Sequence, residues 1–344
     1  MNQVQRMKSG GMSSVSLFSG CLGMDLGLER AGIVARAFVE KDETCRETIQ
    51  MNRPGVPCFD DVFSVTGAQL ARAVGRVDAL VGGPPCQSFS TIGRRGAMRD
   101  GRGLAMLEYL RILGEVHPRF FVMENVTGIL SAEKDGKPLM PWLLSRFERF
   151  GYSVGWWKLN ANDYGVPQKR MRVIVIGSLE GRVQMPVPST KTPPTLHDAI
   201  GDLDGDPGEC ARFGPSLTRF LRMIPEGGDW RSLDARNRKL AMGGAILSSG
   251  GLTAFYRRLS YDRPCPTLLT SPTQRATTLC HPRHLRPLSV AEYKRVQGFP
   301  DDWRLAGSTT QKYRQLGNAV PVALAEAVGN GVTAIHHTRK TNTV

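Results

Sequence analysis

The first half of the chain alternates short apolar runs with segments of helical periodicity. Five runs have the length and apolar content of buried strands, namely VSLF (15–18), ARAFVE (35–40), VDALVG (77–82), RFFVMEN (119–125) and RVIVIG (172–177). Between them, MDLGLERAG, AQLARAVG and LAMLEYLRILGEV repeat apolar residues at intervals of three and four, as amphipathic helices do. This alternation predicts an α/β fold with a parallel sheet.

The pattern changes at about residue 183, where a stretch rich in Pro, Gly and Arg shows few clear periods. Helical periodicity returns in LRPLSVAEYKRVQGF, and VPVALAEAVGNGVTAIHH predicts a final helix. We therefore predict three regions, covering residues 1–182, 183–283 and 284–344.

The net charge of +14 indicates a polyanionic partner. Between Arg212 and Arg286 there are twelve Arg and one Lys against four acidic residues, a local excess of nine. Arginine suits bidentate contacts to phosphates and guanine edges, although a solvated basic face would have the same composition.

The chain has no apolar run long enough for a membrane span, and its first residues lack the apolar stretch of a signal peptide. We therefore expect a cytoplasmic protein that does not contact membranes. Its seven cysteines form no C-x-x-C pair, which indicates neither a zinc cluster nor a disulfide framework. We expect no metal.

The segment SLFSGCLGMDLGLERAG places a turn containing Gly20 and Gly23 between a strand and a helix. The next strand ends in Glu40, which can accept hydrogen bonds from both hydroxyls of a ribose, and Asp61 can meet an adenine amino group. The spacing is not G-x-G-x-x-G, which disfavours a dinucleotide. A nucleoside-containing cofactor is one interpretation, and an ordinary turn with a surface acid is the other.

Cys86 lies in GGPPCQSFS, directly after a predicted strand. The two prolines restrict this loop, and a nucleophilic thiol needs such fixed placement, although an inert buried cysteine is the other interpretation. The following TIGRRGAMRDGRG combines arginine with glycine and fits either a loop that closes over nucleic acid or a solvated loop.

Further polar residues stand at strand ends. Glu124 and Asn125 end a strongly apolar strand, where a carboxyl group is costly unless it is used. Gln168, Arg170 and Arg172 alternate as they enter the last predicted strand, so they share one face. That face could hold Glu124, a phosphate or a carbonyl group, or it could be a salt-bridged edge.

Together these segments resemble the DNA (cytosine-5) methyltransferase family, typically the modification enzymes of bacterial restriction systems. The motifs occur in the family's order across residues 17–322, and they are FSGCLG, VEKD, GGPPCQSFS, ENV, QKRMR, RPLSVAEYKRVQGFP and YRQLGNAVPV. The resemblance implies a Rossmann-like, S-adenosylmethionine-dependent catalytic domain over 1–182 and a smaller, irregular target-recognition domain over 183–283. The closing motifs and C-terminal helix of 284–344 would pack back on the catalytic domain.

The resemblance also implies roles for single residues. Cys86 would be the nucleophile and Glu124 the acid at N3 of the cytosine, while Arg170 and Arg172 would hold the flipped base and its surroundings. The residues that would line the S-adenosylmethionine site are Phe18, Gly20, Gly23, Glu40, Asp61, Pro85 and Asn318.

Double-stranded DNA is the partner that the family implies, with a cognate restriction endonuclease as a functional counterpart. We expect a monomer, because one flipped base needs one active site. Three alternatives remain at this point: an RNA-methylating enzyme, an inactive DNA-binding protein of the same fold, and a nicotinamide oxidoreductase.

Two positions depart from the family pattern. Leu22 stands at the second glycine of the usual F-x-G-x-G-G loop, so its side chain must point away from the cofactor or the turn must shift. Lys41 stands where an aromatic residue can stack on adenine.

Overall fold

A computed structural model describes residues 11–85, 101–189, 192–247 and 255–341. Seven strands form the main sheet: β1 (Met12–Leu17), β2 (Ile33–Val39), β3 (Cys58–Phe59), β4 (Ala79–Gly82), β5 (Phe120–Asn125), β8 (Ser153–Asn160) and β10 (Met171–Ser178). Their spatial order is β3-β2-β1-β4-β5-β10-β8. The remaining strands have two residues each: β6 (Glu133–Lys134), β7 (Lys137–Pro138), β9 (Gln168–Lys169), β11 (Arg257–Arg258), β12 (Cys265–Pro266) and β13 (Leu279–Cys280).

Helices connect and cover the strands. Those up to β10 are α1 (Gly23–Arg30), α2 (Glu43–Asn52), α3 (Gly67–Val74), α4 (Gly101–Val116) and α5 (Leu139–Arg149). Those after it are α6 (Leu196–Ile200), α7 (Pro215–Leu221), α8 (Ala235–Met242), α9 (Val290–Gln297), α10 (Thr309–Asn318) and α11 (Val322–Thr341). Within the part of the chain that the structure describes, no helix combines the length and apolar character of a membrane span.

The direction of one strand differs from the prediction. All five predicted strands are present and β1 to β5 run parallel, but β10 runs antiparallel to both β5 and β8. Only residues 161–170 connect β8 to β10, and so short a connection joins antiparallel neighbours more readily than parallel ones. The sheet is therefore mixed rather than parallel.

Side chains of the central strands alternate between two cores. Phe121 and Met123 of β5 pack on one face with α3, α4 and α5, whereas Phe120 and Val122 pack on the other face with α1 and α11. This alternation is the period of two that a strand imposes. Because both faces are covered, the sheet is the middle layer of a three-layer α/β domain.

The contact between α1 and the start of α11 is unusually close. A Cβ atom at Gly23 would collide with the carbonyl oxygen of Val320, and one at Gly27 with that of Val322. Glycine lets the two backbones approach, and the last helix is thereby fixed against the first.

A separate small core lies in the irregular region. It joins α7 and α8 through residues such as Phe220, Trp230 and Met242. Other residues of this region, among them Leu196 and Leu268, pack instead with α9 and α10. The boundaries at 183 and 283 stay a prediction.

Candidate active site

A cavity of about 810 Å³ opens where the parallel strands end at their carboxyl edge. Loops after β1, β2, β4 and β5 reach it, and β10 begins at the same edge because it runs in the opposite direction. The predicted site residues that line it are Phe18, Gly20, Gly23, Glu40, Asp61, Pro85, Glu124, Arg170, Arg172 and Asn318. Residues that the sequence analysis selected from seven separate segments of the chain therefore line one cavity.

Cys86 lies outside the described residues, as do most of the Arg-rich residues that follow it. Its chain neighbour Pro85 lines the cavity. The backbone just before Cys86 is held by Asn125, whose Nδ2 donates to the carbonyl oxygen of Pro84 at 2.8 Å. Asn125 thus connects the end of β5 to the backbone that leads into Cys86.

The glycine turn after β1 is held by Glu40. One carboxylate oxygen of Glu40 accepts from the backbone N–H of Gly20 at 2.7 Å, and the other accepts from that of Asp42 at 2.8 Å. Burial raises the pKa of Glu40, and the two backbone donors oppose that shift. Each oxygen retains a further lone pair that can accept from a ligand.

Leu22 adopts the left-handed conformation with φ of 70°, which glycine would adopt without strain. Its side chain is buried in the core with Phe38 and Ile49 rather than lining the cavity. The leucine therefore points away from the site, which was the first of the two expected accommodations.

Lys41 lies beside Asp61, with Nζ 3.5 Å from the carboxylate and 5.9 Å from the ring centre of Phe63. Phe63 lines the cavity and is 41% exposed. The sequence analysis did not predict Phe63 as a site residue, although its position two residues after Asp61 could have indicated it. Phe63 provides an aromatic surface that Lys41 does not.

Glu124 and Arg172 form a buried ion pair, with Nε 2.6 Å from Oε1. Burial raises the pKa of Glu124, while the charges of Arg172 and Arg170 oppose the rise. The other oxygen, Oε2, lies next to Gly83, where a Cβ atom would be 2.8 Å away. The site therefore holds a carboxyl group that protonates more readily than a free glutamate.

The residues of the QKRMR segment alternate as predicted, since Gln168, Arg170 and Arg172 are buried and the two residues between them are exposed. Arg170 has a structural role, because its two terminal nitrogens donate to the carbonyl oxygens of Leu268 and Gly317 at 3.0 and 2.6 Å. These contacts tie β10 to the irregular region and to α10. Arg172, not Arg170, holds Glu124.

The described residues include one cluster of metal-ligand type, formed by Asp204, His281 and His284. Burial lowers the pKa of His281 to about 3, so its ring is neutral. Its Nδ1 accepts the backbone N–H groups of Arg283 and His284 at 3.2 and 3.1 Å. The proton therefore sits on Nε2, which faces Tyr261 and presents a donor rather than the lone pair that a metal needs.

Comparison with known proteins gives one consistent family. Residues 12–334 match the family model for C-5 cytosine-specific DNA methylases. The type II methyltransferase M.Sau96I of Staphylococcus aureus is 36% identical over 332 residues, 94% of this chain and 76% of the relative. M.PspPI of a Psychrobacter strain is 38% identical over 331 residues, 93% of this chain and 78% of the relative.

Solved structures share the fold. A candidate DNA modification methyltransferase encoded within an Escherichia coli prophage superposes with a TM-score of 0.70 at 25% identity, covering 95% of this chain and all of the other. DNMT2 of Spodoptera frugiperda gives the same TM-score and coverages at 16% identity.

Proposed function

The chain belongs to the C-5 cytosine-specific DNA methylase family and is a DNA (cytosine-5) methyltransferase, and on that basis we propose that it methylates one cytosine within a short double-stranded sequence. The methyl donor is S-adenosylmethionine, and the reaction passes through a covalent bond between Cys86 and carbon 6 of a flipped cytosine. One observation carries the proposal: the Glu124–Arg172 pair and the glycine turn with Glu40 line the same cavity.

The residues around the glycine turn fit S-adenosylmethionine. Glu40 offers free lone pairs for ribose hydroxyls, Asp61 offers a carboxylate for the adenine amino group, and Phe63 offers a ring face. When bound, S-adenosylmethionine supplies a methyl group activated by a sulfonium. Phe18, Pro85 and Asn318 line the same cavity and offer it further contacts.

Glu124 prepares the cytosine for attack. Because Oε1 pairs with Arg172, Oε2 is the oxygen that carries a proton to N3, and burial favours this protonated form by raising the pKa of Glu124. As N3 gains the proton, the thiolate of Cys86 adds to carbon 6 and makes carbon 5 electron-rich enough to accept the methyl group. A base then removes the proton of carbon 5, and the electrons of that C–H bond re-form the double bond to carbon 6. The C6–S bond breaks with its electrons on sulfur, and N3 returns its proton to Glu124.

The properties of the other six cysteines support the choice of Cys86 as the nucleophile. Burial raises the pKa of each of the six cysteines that the structure describes, which keeps them as unreactive thiols at neutral pH. Cys86 directly follows Pro85, which lines the cavity, and Asn125 holds the carbonyl oxygen of Pro84.

DNA reaches this site only if the cytosine leaves the helix, at a cost of roughly a few kcal/mol. The Arg-rich region between residues 212 and 286 supplies charge that offsets this cost by phosphate contacts. One flipped base occupies one site, so we expect a monomer to act. Methylation would protect the recognised sequence from a cognate endonuclease.

The test is transfer of labelled methyl groups from S-adenosylmethionine to unmethylated duplex DNA, with bisulfite sequencing of the product. We expect label at carbon 5 of cytosine within one short sequence, and that sequence should then resist an endonuclease that cuts it. Label on transfer RNA and none on DNA would overturn the proposal.

Gly83 gives a prediction about the placement of Glu124. In Gly83→Ala the added methyl group would lie 2.8 Å from Oε2, so the carboxyl group must move. A shift of a few tenths of an ångström relieves this contact, and since a misplacement of about 1 Å at a reacting group costs about 100-fold in rate, the expected loss is smaller, roughly several-fold. We expect this loss in single-turnover methylation with DNA and cofactor saturating.

The matched control is Gly128→Ala, where the new methyl group meets only a side-chain carbon of Val126 at 3.9 Å. It should methylate at the wild-type rate. Equal rates for Gly83→Ala and the wild type would show that Glu124 tolerates the displacement and would contradict the assigned geometry.

A further inference from the structure

Two buried glutamines connect the irregular region to the end of α10. Gln168 and Gln297 are both fully buried, and Nε2 of Gln168 donates to Oε1 of Gln297 at 2.9 Å. On one side, Oε1 of Gln168 accepts from the backbone N–H of Leu268 at 3.0 Å. On the other side, Nε2 of Gln297 donates to the carbonyl oxygens of Leu316 and Ala319. The two amides therefore form one continuous chain of hydrogen bonds.

The α10 end of this chain belongs to the wall of the cavity. The residues of that segment that line the cavity are Gln315, Gly317, Asn318, Ala319 and Val320. Gln297 itself belongs to α9 and holds this wall from behind through two of its backbone carbonyl groups. Its amide thus acts on the position of the wall and not on a ligand.

The backbones at the two ends of the chain also touch directly. A Cβ atom at Gly317 would lie 2.7 Å from the carbonyl carbon of Leu269 and from the nitrogen of Thr270, so a side chain has no room there. The guanidinium of Arg170 clamps the same junction, because it donates to the carbonyl oxygens of Leu268 and Gly317. Since the contact is close-packed, any shift of the irregular region at this junction displaces the cavity wall.

The junction is continuous with the body of the irregular region. Thr270 is exposed and begins a loop that is braced internally, because Oγ1 of Thr277 donates to the carbonyl oxygen of Ser271 at 2.6 Å. The loop reaches α8 through Arg275, whose Nη1 donates to the carbonyl oxygen of Ala241 at 3.2 Å. A polyanion bound by this arginine-rich region would therefore act on a surface that is joined to the cavity wall.

We propose that Gln297 is a positioning residue that couples the binding of DNA to the binding of the methyl donor. The inference rests on the proposed function, in which the irregular region contacts DNA and the cavity holds the donor. When one ligand orders the junction, the other ligand no longer bears that cost, so each tightens the binding of the other by the same factor. Gln297 transmits the effect because its one amide joins both parts of the chain.

Only an amide side chain satisfies both ends of this link. The oxygen of Gln297 accepts from Gln168, and its nitrogen donates to two carbonyl groups. Methionine is similar in length and unbranched but donates no hydrogen bond. Gln297→Met therefore removes the link while largely conserving volume.

The experiment is calorimetry with S-adenosylhomocysteine on the full chain, alone and saturated with a duplex that contains the methylated sequence. This ligand has no methyl group to transfer, so the DNA stays unmodified during the measurement. The coupling factor is the ratio of the two affinities. We expect wild type to bind about 10-fold or more tightly with DNA, within the roughly 5- to 150-fold range of coupled sites. In Gln297→Met the factor should fall to about 3 or less.

Gln168→Met is a second variant, which breaks the chain at its other amide. It should lower the coupling factor to the same extent, and the double variant should lower it no further, because the two amides act in one chain. A larger loss in the double variant would mean that they act separately and would overturn the inference. Both substitutions leave buried backbone groups unpaired, so all affinities are measured below the lowest thermal midpoint of the set.

Gln315→Met is the matched control. Gln315 is also a buried glutamine and lines the cavity, but its amide bonds to Thr48 and Ala306, at 2.7 and 3.0 Å, and both partners lie outside the irregular region. The variant should weaken S-adenosylhomocysteine equally with and without DNA. Its coupling factor should therefore equal that of the wild type.

Wild-type protein that binds S-adenosylhomocysteine equally tightly with and without DNA would overturn the inference, as would a wild-type coupling factor in Gln297→Met. The same fall of the factor in Gln315→Met would also overturn it, since any damage to the cavity wall would then suffice. If the wild-type protein binds no S-adenosylhomocysteine or methylates no duplex DNA, the proposed function itself fails and the inference fails with it. The two kinds of failure are therefore distinguishable.

Discussion

Cys86→Ala should abolish DNA methylation while leaving the affinity for S-adenosylmethionine unchanged. Without the thiolate, carbon 5 of cytosine stays too electron-poor to take the methyl group, and the rate should fall on the order of 10⁴-fold or more. Incorporation of labelled methyl groups measures the rate, and calorimetry measures the cofactor affinity.

Cys58→Ala is the matched control for this variant. Cys58 is half-buried, and burial raises the pKa of its thiol to about 11, so it should be dispensable. DNA containing 5-fluorocytosine adds a second readout, because fluorine at carbon 5 cannot leave as a proton does. Wild type should form a complex that survives denaturation and Cys86→Ala should form none. Wild-type turnover by Cys86→Ala would refute the mechanism.

Glu124→Gln should lower the rate of methyl transfer by about 10²- to 10⁴-fold, which is the usual contribution of a general acid. The amide keeps the shape of the carboxyl group but has no acidic proton to give to N3. Because N3 then stays unprotonated, carbon 6 is a poorer target for the thiolate. Single-turnover rates with saturating DNA measure the effect.

The affinities of Glu124→Gln for DNA and for S-adenosylhomocysteine should stay within about threefold of wild type, since neither is bound by proton transfer. The substitution also leaves the guanidinium of Arg172 without its charge partner, so the thermal midpoint should fall. The rates must therefore be compared at a temperature where both proteins are folded. A variant with weaker DNA binding and an unchanged rate would refute the role assigned to Glu124.

The sequence predicted the buried strands well and the edge strand poorly. The strand at Phe120–Asn125 was predicted within one residue, because it is apolar on both faces. The strand at Ser153–Asn160 was missed, since it lies at the edge of the sheet and Trp156 on it is 40% exposed. Apolar periodicity also carries no direction, which is why the antiparallel course of β10 was not foreseen.

The same contrast holds in the site. Glu40 and Glu124 were predicted because each follows an apolar strand, a position where an acid is unusual. Asp25 also lines the cavity, but the sequence analysis did not predict it as a site residue, because an acid within an amphipathic helix normally faces water. It is buried because its helix packs against α11, a contact between distant parts of the chain that no local pattern reveals.

The cavity wall also sets a limit on when activity can arise during synthesis. Cys21, in the glycine turn, contacts Gln315 of the opposite wall, and the two residues are 294 positions apart. Contacts of such long range form late in folding, after the loop-closure entropy has been overcome. At typical translation speeds, the ribosome needs roughly 15 to 60 seconds to synthesise the residues between Cys21 and Gln315. A nascent chain should therefore bind no methyl donor until synthesis has passed the last cavity residues, and truncated chains should never methylate DNA.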